Sequence, residues 1–167
     1  MRFAILVPLL ALSGCVVPED PAGTSHGLPS LAAVKDNPRL ALMDHVLAEY
    51  FASDISSRPT VCASATADGT QTALAPDDES ALMARYNLLA PLARCSWTDA
   101  GWQDARTDQP AIVFNLHEFD CATDAQCSGF ASYTSGQAAS MSTKYTMRFD
   151  GTRWRFESDP RVLMEER

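Results

Sequence analysis

The stretch that decides the fold is residues 144–157, KYTMRFDGTRWRFE. Apolar and polar side chains alternate on both sides of Asp150-Gly151, which is typical of two half-buried β-strands joined by a tight turn. Asp-Gly is a preferred two-residue loop of the type I′ hairpin. Such a loop predicts three cross-strand pairs: Phe149 with Thr152, Met147 with Trp154, and Tyr145 with Phe156. All of the aromatic side chains then lie on one face, which packs on the core.

The opposite face of this hairpin carries four cations, Lys144, Arg148, Arg153 and Arg155. In the predicted register Arg148 lies opposite Arg153, and like charges so placed are destabilising. On a chain with a formal net charge of −8, the cluster is a candidate binding site for an acidic ligand or partner. The alternative is neutralisation by the protein's own carboxylates, such as Glu157 opposite Lys144.

Two amphipathic helices are predicted in the first half of the chain. Asp36-Asn37-Pro38 combines a capping side chain with proline at the first helical position, so a helix is expected to run from there to about Ser53. Its apolar stripe has helical spacing and consists of Met43, Val46, Leu47, Tyr50 and Phe51. A second helix is predicted from Pro76, whose first turn holds three carboxylates, to about Leu88.

Further strands are expected at residues 60–66, 92–97, around Trp102, 111–119 and 129–135. In the strand at 111–119 one face carries Ile112, Phe114 and Leu116, and the other carries Val113, Asn115, His117 and Phe119. The order of elements predicts an α+β domain, with about two helices packed on a curved antiparallel sheet that ends in the aromatic hairpin.

The end of the hairpin, Gly151-Thr152-Arg153-Trp154, resembles a Gly–x–Trp pattern of the cone-shaped proteins of the nuclear-transport-factor-2-like fold. This resemblance covers about a tenth of the chain and serves as a fold analogy. It implies a pocket between helix and sheet, in which His117 or Tyr145 would supply polar groups.

The first 15 residues have a charged start at Arg2, an apolar run from Phe3 to Leu12 and small residues before Cys15. The apolar run spans only ~15 Å as a helix, about half of a bilayer core, so it fits a secretory signal. Leu12-Ser13-Gly14-Cys15 resembles the lipobox of bacterial lipoproteins. The resemblance implies acylation of Cys15 with palmitate-type chains, and removal of residues 1–14. The alternative is an ordinary signal peptide that contains a cysteine.

The residue after Cys15 is Val16 and not Asp, so the resemblance implies an outer-membrane lipid anchor with the domain in the periplasm; exposure at the cell surface stays open. Several acyl chains would hold the protein on a membrane almost permanently. Residues 15–36 are rich in Pro, Gly and Ser and are expected to form a flexible tether. The folded domain is expected at 37–160, and a C-terminal tail at 161–167.

Four cysteines follow Cys15: Cys62, Cys95, Cys121 and Cys127. An even number in an exported domain predicts disulfide bonds, for which three pairings are possible. A bridge between Cys121 and Cys127 would close a short loop between two strands, and Cys62 would then pair with Cys95. In the chain-entropy model the Cys121–Cys127 bridge contributes roughly 2.4 kcal/mol to the free energy of unfolding and the Cys62–Cys95 bridge roughly 4 kcal/mol. A zinc site is the alternative, but the spacings contain no C-x₂-C clip.

The charge and motifs exclude several classes of function. A net charge of −8 argues against nucleic-acid binding, which needs a positive surface. The chain contains no nucleophile elbow, phosphate-binding loop, dinucleotide glycine pattern or H-E-x-x-H motif. His117 and Glu118 are neighbours on a strand and point to opposite faces, so they make a poor metal site.

No catalytic residue, metal ligand or cofactor is therefore assigned. Two hypotheses remain. The first is a non-catalytic envelope lipoprotein that binds another protein or a cell-wall component. The second is a small-molecule-binding or enzymatic domain that uses a pocket between helix and sheet.

Overall fold

A computed structural model gives the structure, and it describes residues 28–54, 58–135, 139–159 and 163–164. The helices are η1 (Leu31–Ala33), α1 (Pro38–Ala52), α2 (Pro76–Met83) and η2 (Leu92–Arg94), of which η1 and η2 are short 3₁₀ helices. The strands are β1 (Thr60–Ala67), β2 (Thr70–Ala73), β3 (Leu89–Ala90), β4 (Cys95–Thr98), β5 (Gly101–Asp104), β6 (Gln109–Thr123), β7 (Gln126–Ser135), β8 (Ala139–Phe149), β9 (Trp154–Ser158) and β10 (Leu163–Met164).

The strands form one curved, mixed sheet, and with α1 and α2 they confirm the α+β class. The main path runs β10-β8-β7-β6-β1-β2; β9 pairs with β8, β3 with β1, and the β4–β5 hairpin joins through β6. The prediction of an antiparallel sheet is wrong at one place, because β1 runs parallel to both β6 and β3. The chain between β1 and β6 passes through α2 and the β4–β5 hairpin, which gives it the length that a parallel connection needs.

Helix α1 covers the concave side of this sheet. It begins as predicted, with Pro38 at the first position and the Asn37 side chain accepting a hydrogen bond from the backbone N–H of Leu40 at 3.1 Å. The side chains that α1 buries are Leu40, Ala41, Leu42, Met43, Val46 and Leu47. They pack on the inward side chains of the sheet, which include Phe114, Leu116, Met147 and Trp154. The helical stripe and the aromatic face of the hairpin therefore share one core.

The aromatic hairpin is present, but its predicted register is wrong by two residues. Phe149 pairs with Trp154 and Met147 with Phe156, so the loop contains four residues and not two. Asp150 explains the longer loop, because its carboxylate accepts hydrogen bonds from the backbone N–H groups of Thr152 and Arg153, both at 2.9 Å. A shift of two preserves the face of every side chain, which is why the aromatic residues still point inward.

A β-bulge in β6 overturns the predicted face of Phe119. Glu118 has a φ of 48°, and the register breaks between the pairs His117–Phe130 and Asp120–Ser128. Two residues of β6 therefore lie opposite Gly129 of β7, which switches the alternation of side chains along the strand. As a result, Phe119 packs against the core, and His117 stays on the outer face.

Both ends of the folded domain extend beyond the predicted limits. The last part of the predicted tether contains η1, and the Trp154 indole N–H donates to the carbonyl of Val34 at 3.2 Å. A buried indole N–H needs an acceptor, and this segment supplies it. At the other end, Leu163–Met164 of the predicted tail pairs with β8. The predicted signal peptide lies outside the described residues.

Two disulfide bonds are present, Cys62–Cys95 and Cys121–Cys127, and they match the pairing expected from the position of Cys121 and Cys127 between two strands. The first bridge lies in a second small core on the convex side of the sheet, with Ala90, Ala111 and Val113. The second joins directly opposed residues of β6 and β7. Such bonds fit an oxidising compartment outside the cytoplasm.

Candidate functional site

The main candidate site is a cavity of about 580 Å³ between the C-terminal half of α1 and strands β6, β7 and β8. Its lining residues are Val46, Glu49, Tyr50, Ser53, Ile112, Phe114, Ala131, Ser132, Tyr133, Ser135, Met141, Thr143 and Tyr145. The cavity thus lies between helix and sheet. A concave, mostly apolar site with a few polar groups is the usual form of a small-molecule site.

Aromatic rings form one continuous wall of the cavity. The rings of Tyr50 and Phe114 lie 5.2 Å apart, and those of Phe114 and Tyr133 lie 5.5 Å apart. The Tyr133 hydroxyl donates to the sulfur of Met141 at 2.8 Å, which fixes the far end of this wall. These contacts place the rings in the geometry that aromatic clusters prefer, so the wall is held in position without a ligand.

A polar cluster borders the same cavity. The Tyr145 hydroxyl donates to Oε2 of Glu49 at 3.2 Å, and Nε2 of His45 lies 3.4 Å from Oε1. The His45 ring stacks on Phe156 at 4.2 Å, and burial lowers the pKa of His45 despite its acidic neighbours. Burial, with a smaller contribution from Glu49, raises the pKa of Tyr145 to about 12. At neutral pH the imidazole of His45 and the phenol of Tyr145 are thus both uncharged.

Tyr50 has a buried hydroxyl without a hydrogen-bond partner among the described residues. Burial also raises the pKa of Tyr50. An unpaired buried hydroxyl is costly, about 1–3 kcal/mol, and such a group often marks a functional position. Next to it, Arg58 donates to the carbonyl oxygens of Phe51 and Ser53 at the end of α1.

His117 does not line this cavity; it lines a separate space of about 490 Å³ together with Arg39 and Phe119. Its ring stacks on Phe130 of β7 at 5.2 Å on the outer face of the sheet, and Nε2 lies 3.3 Å from the hydroxyl of Ser142. Its side chain is 27% exposed. The pocket hypothesis therefore depends on Tyr145, which does line the cavity.

The four predicted partner-binding cations, Lys144, Arg148, Arg153 and Arg155, are all exposed. Because of the shifted register, Arg148 lies opposite Arg155 and not opposite Arg153. Asp150 pairs with Arg155 at 2.6 Å, so part of the positive charge is neutralised within the loop. Within the described part of the chain, Arg148 and Arg153 form no ion pair.

The buried carboxylate of Asp104 has a structural role. Asp104 is buried and accepts hydrogen bonds from Arg94 Nε at 2.9 Å and from the Thr60 hydroxyl at 2.6 Å. These bonds hold the pKa of Asp104 well below its usual range. Because the donors come from β1 and η2 and Asp104 itself belongs to β5, this carboxylate joins three elements.

Neither a metal centre nor a membrane span is found in the described residues. No group of three or more His, Cys, Asp or Glu side chains in that part is placed to hold a metal ion. Among the helices of the same residues, none is both long and apolar enough to cross a membrane.

No protein-family model matches the chain, and comparisons with curated proteins and with solved structures give no match. The candidate site therefore depends on the geometry alone. Sequence patterns singled out Tyr145 but missed Glu49 and Tyr50 as site residues. The helical period placed Tyr50 in the buried stripe, while the contact between Glu49 and Tyr145 joins residues 96 positions apart.

Proposed function

We propose that this protein is an envelope lipoprotein whose domain is a non-catalytic binding module, and that the cavity under α1 is its ligand site. The observation that carries the proposal is the apolar cavity of about 580 Å³, lined by an aromatic wall and by the Glu49–Tyr145 pair. Cavities of 300–1,000 Å³ accommodate small organic molecules. The absence of a catalytic motif in the sequence favours binding over chemistry.

The test of the cavity is ligand binding by the chain from residue 15 onward, carrying Cys15→Ser and exported to a bacterial periplasm. All described contacts lie after residue 27, so this chain keeps them. The fluorescence of the neutral ligand N-phenyl-1-naphthylamine increases when it enters an apolar site. We expect saturable binding to the purified protein, and its absence would refute the cavity as a ligand site.

A pair of variants on one strand locates the binding. Thr143 lines the cavity, whereas Thr146 is exposed on the outer face of the same strand, β8. Thr143→Trp should fill the cavity and weaken binding by about tenfold or more, while Thr146→Trp should leave it unchanged. Equal effects of both substitutions would place the binding elsewhere.

The anchor is proposed from the lipobox resemblance at Cys15, and the two disulfide bonds support an extracytoplasmic location. Wild-type protein expressed in a Gram-negative host should incorporate labelled palmitate and sediment with outer-membrane fractions. Cys15→Ser should abolish the labelling. Unchanged membrane association without labelling would refute lipidation as the anchor.

A second candidate function is the binding of an acidic envelope protein or cell-wall component at the basic end of the hairpin. It is favoured by the exposed Arg148 and Arg153, which form no ion pair within the described residues. Co-sedimentation with purified peptidoglycan tests one such partner. Arg148→Ala with Arg153→Ala should weaken it, and replacement of both by Lys should preserve it. Equal co-sedimentation of the wild type, the double Ala variant and the double Lys variant would exclude binding to peptidoglycan through Arg148 and Arg153.

A further inference from the structure

We propose that the cavity under α1 selects an organic cation, an ammonium group attached to an apolar body, over neutral and anionic molecules of the same shape. The inference rests on the proposed function, because it names the ligand class of the same cavity. Two independent features of the lining point to a positive ligand: the charge of Glu49 and the aromatic rings.

The first feature is the charge of the lining. Glu49 is the charged side chain among the described lining residues, and no basic side chain occurs among them. It is 58% exposed, so the carboxylate lies at the rim, where a ligand can reach it. Tyr145 donates to one of its oxygens and thereby fixes its position. His45, whose Nε2 lies 3.4 Å from the other oxygen, has a pKa that burial lowers, so it adds no positive charge beside Glu49 at neutral pH.

The second feature is the aromatic wall. Tyr50, Phe114, Tyr133 and Tyr145 surround the site. Ring faces attract cations electrostatically, and aromatic enclosures are the usual receptors for quaternary ammonium groups. An anionic ligand would meet repulsion from both the rings and the carboxylate, whereas a neutral ligand would gain only from apolar contact.

The experiment uses matched ligands in competition with bound N-phenyl-1-naphthylamine. Benzyltrimethylammonium and 2,2-dimethylpropylbenzene have the same shape and differ in the positive charge, and phenylacetate supplies a negative one. We expect the cation to displace the fluorescent ligand at a concentration about tenfold lower than its neutral isostere, with phenylacetate the weakest.

The variant Glu49→Gln tests the source of this preference. It retains an oxygen acceptor for Tyr145 and should reduce the preference for the cation over its neutral isostere to about twofold or less. Glu157→Gln, which removes the same charge from an exposed position on β9, should leave this preference at about tenfold. If Glu49 had only a structural role, Glu49→Gln would instead weaken the binding of the cation and of the neutral isostere equally.

Failures of the two proposals are distinguishable. If the fluorescent ligand binds but the cation has no advantage, or if Glu49→Gln does not alter that advantage, the cation inference is wrong and the cavity remains a ligand site. If the fluorescent ligand does not bind at all, the proposed function fails, and the inference fails with it.

Discussion

Removal of the Cys62–Cys95 bridge should destabilise the domain more than removal of the Cys121–Cys127 bridge. The half-cystines are 33 positions apart in the first bridge and 6 in the second. In the chain-entropy model the longer loop contributes about 1.4 kcal/mol more to the free energy of unfolding, because loop-closure entropy grows with the logarithm of loop length. Packing adds to this difference, since Cys62 and Cys95 are both buried in the second core and Cys121 is exposed.

The assay is urea unfolding of two double variants, Cys62→Ala with Cys95→Ala and Cys121→Ala with Cys127→Ala, under non-reducing conditions and followed by tryptophan fluorescence. Each variant is the control of the other, because both lose one bridge and two sulfur atoms. We expect a lower transition midpoint and a lower extrapolated free energy of unfolding for the first variant. An equal or greater loss in the second would refute the loop-length reasoning for this domain.

Three further predictions concern the core and its acid stability. The pKa of Asp104 is lower in the folded than in the unfolded protein, so its contribution to stability is complete above about pH 4 and is lost as the pH falls. Asp104→Asn should therefore be less stable than the wild type at pH 7 and should lose less stability between pH 5 and pH 2. Thermal unfolding at these pH values measures both effects. A Cβ atom at Gly129 would lie 2.7 Å from the ring of Phe119. Gly129→Ala should therefore lower the free energy of unfolding, measured by urea titration, by about 1–3 kcal/mol. An unchanged free energy would contradict the close approach. Trp154→Phe leaves the carbonyl of Val34 without its indole donor. The free energy of unfolding should fall by about 1–3 kcal/mol, and amide hydrogen exchange in the segment before α1 should become faster. Unchanged exchange there would show that the bond does not fix this segment.

Local sequence patterns predicted the elements whose determinants lie within a few residues. The start of α1 follows from the Asn37 cap and Pro38, and its buried face follows from the 3.6-residue period. The aromatic hairpin follows from strict alternation. Its register did not follow, because the carboxylate of Asp150 bonds two successive backbone N–H groups and stabilises a four-residue loop in place of the shorter Asp-Gly turn.

The pattern failed where one residue interrupts a strand. Simple alternation assigned His117 and Phe119 to one face, but the bulge at Glu118 separates them. A non-glycine residue with positive φ leaves little trace in composition, and the small partner that permits it, Gly129, is distant along the chain. The face predicted for Phe119 was wrong for this reason.

Long-range pairing limited the prediction of the site itself. The parallel alignment of β1 with β6 depends on how a connection of more than 40 residues closes, which no local signal encodes. The cavity similarly depends on contacts between α1 and β8, such as the bond between Glu49 and Tyr145. Tyr145 was foreseen as an inward side chain, but its partner was not.

The central claim is that an organic ligand binds between α1 and the sheet. The most direct measurement is a titration of the ¹⁵N-labelled chain with N-phenyl-1-naphthylamine, followed by ¹H–¹⁵N correlation spectra. Saturable shifts at the amides of Tyr50, Ala131, Thr143 and Tyr145 are predicted, because these residues line the cavity. Shifts restricted to the outer face, around Phe130 and Thr146, or no saturable shift at all, would contradict the claim.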